Sequence, residues 1–80
     1  MFAKIITKVG VKHSEKQINR NSEKELNRSI NASITFLCKK YGCLTNVSIR
    51  DIEAMGNKAD FIVKRSAGLP IIFTVEKYEK

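Results

Sequence analysis

Two cysteines, one histidine and eight carboxylates are the side chains of this 80-residue sequence with obvious chemical potential. Cys38 and Cys43 are separated by Lys39-Lys40-Tyr41-Gly42, and the single imidazole, His13, lies far upstream of both. A closed zinc site built from sulfur and imidazole needs four ligands, so no metal and no cofactor is expected. A Cys38 thiolate activated by Lys39 and Lys40 would also need a positioned base, and nothing links it to His13; Cys38 reads instead as a helix-end cysteine. The spacing leaves a disulfide open, but two cysteines are not the dense framework of a small secreted domain, and reduced thiols are expected. Gly10, Gly42, Gly56 and Gly68 are isolated and build no phosphate-cradling loop. Asp51, Glu53 and Asp60 fall near one turn, but Asp60 is expected to face Arg50 as a cross-strand ion pair and Asp51 to point the other way. No catalytic residue is assigned, and a non-enzymatic protein is expected.

Charge is the next candidate for function. Fifteen Lys and Arg against eight Asp and Glu give +7, and residues 1–40 carry most of it, with nine cations against Glu15, Glu23 and Glu25. Lys4, Lys8, Lys12, Lys16, Arg20, Lys24 and Arg28 recur at every fourth position. On a helix the later members would form a stripe able to follow phosphates, which makes Lys12, Lys16, Arg20, Lys24 and Arg28 candidate phosphate contacts. Specific nucleic-acid recognition usually adds aromatic stacking platforms or a helix-turn-helix, and the sequence offers neither. Weak, non-specific nucleic-acid binding is the most this feature supports.

The elements that must position these residues follow from periodicity. Residues 2–12 alternate as a strand, with Ala3, Ile5, Thr7, Val9 and Val11 on one parity and Phe2, Lys4, Ile6 and Lys8 on the other. An internal echo comes next: Ser-Glu-Lys-Gln-Ile-Asn-Arg-Asn at 14–21 is followed by Ser-Glu-Lys-Glu-Leu-Asn-Arg-Ser at 22–29, and both copies carry a capping-box pattern. Ser22 is the favoured start, because the dense apolar stripe of Leu26, Ile30, Ile34, Leu37 and Tyr41 begins only there. The helix is expected over residues 22–41, stopped by Gly42, while the basic polar segment 13–21 stays open between a connection and a helical extension from Ser14. Two glycine-terminated loops, Ala54-Met55-Gly56 and Ser66-Ala67-Gly68, then set a meander of strands over residues 43–53, 57–65 and 69–78. Its register pairs Phe61 with Phe73, Ile62 with Ile72 and Val63 with Ile71.

The expected fold is α+β: a single domain over residues 1–80 in the order β-α-β-β-β, one amphipathic helix packed on a four-stranded, mostly antiparallel sheet as a two-layer sandwich. The helix covers a face made by Ile5, Val47, Ile49, Phe61, Val63, Ile71, Phe73 and Val75, and strand one runs parallel to a meander strand. The opposite face is open. There Ile62 and Ile72, extended by Ile6 and with Tyr78 near the chain end, are the candidate protein interface, for a protein partner or for self-association. Lys4 and Lys8 break the N-terminal apolar segment and no apolar run reaches membrane-spanning length, so a cytoplasmic protein without membrane contact is expected.

Site-free, lysine-rich proteins of this size and shape resemble phage-encoded or mobile-element proteins that occlude a host or defence protein. The strand, helix and terminal hairpin are also loosely similar to small sporulation-associated proteins. No motif in the chain carries either likeness to a particular family. What the likeness of kind implies is a protein-binding module, an inhibitor, adaptor or assembly factor using the open face or a strand edge. A basic nucleic-acid-binding accessory protein is the alternative.

Overall fold

A computed structural model of the chain describes residues 1–79. Its elements are β1 (Phe2–Val9), β2 (Lys12–Asn19), α1 (Glu23–Tyr41), α2 (Ile49–Ala54), β3 (Lys58–Val63) and β4 (Ile71–Tyr78). The strands form one fully antiparallel sheet in the order β2-β1-β4-β3. Helix α1 lies over β1 and β2, and α2 packs beside it. The expected class therefore holds: a two-layer α+β sandwich with an amphipathic helix on a four-stranded sheet.

The order of elements along the chain is β-β-α-α-β-β, not β-α-β-β-β. Two segments account for the difference, residues 10–21 and 43–53. Gly10 does not sit inside a strand over residues 2–12. Its φ of 60° turns the chain at Gly10-Val11, the two-residue hairpin with glycine first whose twist suits flanking strands. Residues 13–21 are therefore neither a loose connection nor an extension of the helix; most of them form β2. Strand β1 then pairs with β2 and β4, antiparallel to both, and not parallel to a meander strand.

Residues 43–53 are the second correction, since no strand forms there. Cys43 makes only an isolated bridge with Arg65, and the chain then passes Val47 into α2. The Ser48 hydroxyl accepts the Asp51 backbone N–H at 3.2 Å while the Asp51 carboxylate accepts that of Ser48 at 3.3 Å, a reciprocal cap that starts the helix. Ile49 and Ile52 are three residues apart, the spacing that puts neighbours on one side of a helix, and Ile52 is fully buried. Val47 reaches the core from the connecting segment rather than from a strand, and Ile49 belongs to α2. With β3 at the sheet edge, the expected Arg50–Asp60 cross-strand pair does not form, and Gly56 lacks the positive φ that an Ala54-Met55-Gly56 hairpin would need.

The β3–β4 register stands as read from the sequence, with Phe61 opposite Phe73, Ile62 opposite Ile72 and Val63 opposite Ile71. Gly68 has the left-handed φ of 91°. The strands stop at Val63 and resume at Ile71 because residues 64–66 turn aside to pair with 42–44: Leu44 N–H donates to the Lys64 carbonyl and Ser66 N–H to the Gly42 carbonyl, both at 2.9 Å.

Helix α1 is closed at both ends. Ser22 Oγ accepts the Glu25 N–H at 3.2 Å, and Gly42, at φ 70°, lets its own N–H and that of Cys43 reach the Cys38 carbonyl. Its buried face sets Leu26, Ile30 and Ile34 against Ile5, Ile71, Phe73 and Val75 of the central strands, all essentially inaccessible to water. Each contributes about 1.5 to 3 kcal/mol by burial. Lys77 shares the inward parity of β4 and is also buried; its ammonium donates to the Ile52 carbonyl at 2.6 Å, supplying a cation and a donor to the C-terminal turn of α2. Desolvation lowers the Lys77 pKa, opposed by the charges of Glu23 and Glu53. Among the described residues no helix is long and apolar enough to cross a membrane.

Candidate protein-interaction face

Directly opposed residues of an antiparallel sheet share a face, so the register lays out the side left uncovered by the helices row by row. At one end Phe2 lies between Asn19 and Tyr78. The next row runs Gln17, Lys4, Glu76, Lys58, the third Glu15, Ile6, Thr74, Asp60, and the fourth His13, Lys8, Ile72, Ile62. Ile62 is 69% exposed and directly opposite Ile72, while Ile6 sits one row away on the neighbouring strand. The structure thus brings Ile6, Ile62 and Ile72 together. Tyr78 shares their face but not their cluster. It stands at the other end, its ring stacked on Phe2 with centroids 6.1 Å apart.

Between the isoleucines and the aromatic pair the face is charged but balanced. Lys4 lies 4.0 Å from Glu15 and Lys58 lies 3.5 Å from Glu76, while the Thr74 hydroxyl donates to Asp60 at 2.7 Å. Three lysines, Lys4, Lys8 and Lys58, meet three carboxylates, Glu15, Asp60 and Glu76, so the net +7 of the chain is carried by other residues. Asp60 is expected beside Arg50 and is instead tied to Thr74. The β2 column of this face, His13, Glu15 and Gln17, has no counterpart in the sequence reading, because the turn at Gly10 is what brings it there.

The candidate phosphate stripe does not survive folding as a stripe. Lys12 and Lys16 lie on the helix-side parity of β2, where the Lys16 ammonium donates to Ser33 Oγ at 3.1 Å. Arg20 follows the strand and donates to the Asn19 carbonyl at 2.7 Å. Lys24 and Arg28 share a helical side with Asn31 and Thr35, which touch the Asn46–Val47 segment at 2.8 to 3.0 Å, and so face away from β2. A mixture of strand and helix cannot keep a four-residue repeat on one side.

Cys38 and Cys43 are free thiols beside one another, Cys38 buried. Burial, followed by the neighbouring Cys43, pushes the Cys38 pKa up to about 12, so at neutral pH it is a protonated thiol and not a nucleophile. Among the described residues no group of three or more His, Cys, Asp and Glu is placed to hold a metal ion. Compared with known proteins, the chain matches no family model, no curated protein and no solved structure.

Proposed function

We propose that the protein is a small non-enzymatic binding module, an inhibitor, adaptor or assembly factor, that docks to protein through its open sheet face. The observation that carries this reading is the cluster of Ile62, Ile72 and Ile6 on a charge-balanced face that neither helix covers. Apolar clusters rimmed by polar groups mark contact surfaces more often than isolated exposed side chains do. Proteins captured from native extract by the wild type and lost with the Ile62→Lys/Ile72→Lys variant, at unchanged circular dichroism, support the reading; identical capture by both overturns it.

A second reading follows from where the charge is not. Because the open face is neutral, the cationic residues elsewhere could hold a polyanion, such as nucleic acid, with low specificity. Salt separates the two readings. Phosphate binding loses about 0.9 in log K per decade of salt for each phosphate neutralised on duplex DNA, whereas a partly apolar interface responds far less. Reversing Lys24 and Arg28, the pair that shares one helical side, is expected to weaken a nucleic-acid affinity of about 10⁻⁴ to 10⁻⁶ M and leave protein capture intact.

A further inference from the structure

We infer that the open face is covered by a second copy of the chain, in a two-fold sheet-on-sheet stack. This rests on the reading of the face as an interaction surface and names its occupant. Two copies at +7 each repel wherever their cationic residues meet, and the open face, with three lysines against three carboxylates, is where that repulsion is absent. Strand-edge pairing through β2 centred on Ser14 would instead set Lys12 of one copy opposite Lys16 of the other.

The layout of the face selects one orientation. A two-fold axis lying in the interface, across the strands and between the Lys4 and Ile6 rows, keeps each strand over its own copy and reverses the rows. Lys58 then meets Asp60 of the second copy, and Gln17 meets Glu15. Lys4 and Glu76 fall over Ile6 and Thr74. The aromatic pair docks on the isoleucine end: Tyr78 lies over Ile72 and beside Ile62, and Phe2 lies over the Lys8 ammonium, each contact made twice by symmetry. No like charges are opposed. An axis along the strands would place Glu15 over Asp60 and lacks this match. Four strands about 4.8 Å apart and about eight residues long give a footprint of roughly 500 Å² per copy, at the lower bound of specific interfaces, so the pair is a weak, concentration-dependent dimer.

The test is sedimentation velocity from micromolar to about 1 mM protein at about 0.15 M salt. The wild type is expected to move from 9.1 kDa toward twice that mass. Ile72→Glu and Tyr78→Lys, each folded by circular dichroism, are expected to stay monomeric alone. Mixed in equal amounts they recover the doubled mass, because the two-fold places the introduced carboxylate of one variant against the introduced ammonium of the other and leaves the second contact native. A wild type that stays monomeric at about 1 mM, or a mixture that fails to associate, overturns the second copy. If that monomer still loses protein capture with Ile62→Lys/Ile72→Lys, the open face stands as a binding surface for a different partner; if it does not, both readings fall.

Discussion

Residues 14–21 and 22–29 are nearly the same octapeptide, yet the first lies largely in an edge strand and the second opens a nineteen-residue helix. Both begin Ser-Glu-Lys and both place a glutamine or glutamate three residues after the serine. In the second copy the cap forms, Ser22 Oγ accepting the Glu25 N–H. In the first, Ser14 lies opposite Thr7 in the β1–β2 ladder. The difference lies beyond the octapeptide. Leu26 is followed by Ile30 and Ile34 at helical spacing, so continuing the helix buries a stripe, whereas Ile18 is followed by seven polar residues. Preceding the first copy, the turn at Gly10 delivers the segment to β1 with Ile18 facing the core opposite Ala3. A capping motif is thus permissive, and the apolar residues around it decide.

The contrast is tested first at its equivalent apolar positions. Leu26→Ala is expected to cost about 3 to 5 kcal/mol and Ile18→Ala about 2, because an edge-strand site can relax or admit water while the helix stripe leaves a cavity. Urea denaturation of both variants measures this, and an equal loss would deny that the two copies differ in anchorage. Gly10→Val comes next, at about 1 to 3 kcal/mol, since a β-branched residue resists φ 60°; the loss should appear first as faster amide exchange in β2 rather than in α1. Making the first copy identical to the second, with Gln17→Glu, Ile18→Leu and Asn21→Ser, should cost less than about 1.5 kcal/mol and leave the segment a strand by Cα chemical shifts. Helical shifts over residues 14–21 would show that the octapeptide itself sets the structure. The smallest effect separates the serines: Ser22→Ala should cost about 1 kcal/mol and Ser14→Ala under about 0.5, read from denaturation midpoints.

What the sequence made legible follows the same division. Helix α1 was readable because cap, stripe and glycine stop agree, and the β3–β4 register because three chemically matched pairs fix one parity. The layer architecture and the Ile6, Ile62 and Ile72 cluster came with them. Strand β2 was not legible, since a strand exposed on both faces carries almost no alternation and its one apolar inward residue is Ile18. The signal available was Gly10, a glycine in mid-strand that is also the first residue of a two-residue turn. Helix α2 was hidden by its length: Val47 and Ile49 share a strand parity, six residues are too few to show a helical stripe, and the marks against a strand were Ile52, three residues after Ile49, and the Ser48–Asp51 cap. The buried role of Lys77 was not legible because a lysine in the apolar parity of a strand looks like the end of that strand, and its partner, the Ile52 carbonyl, is in place only once α2 forms.

The strand order β2-β1-β4-β3 has a kinetic consequence. Each outer strand belongs to a hairpin that can close within its own stretch of sequence, but the central seam joins β1 to β4, with Phe2 opposite Tyr78. Closing that seam brings together segments separated by nearly the whole sequence, and the loop entropy is lost before the contacts repay it. The β1–β4 encounter is therefore expected to limit the rate of refolding. Until it happens β1 and β4 each keep one unpaired edge, the kind that invites pairing with another chain, so slower closure is expected to raise aggregation during refolding.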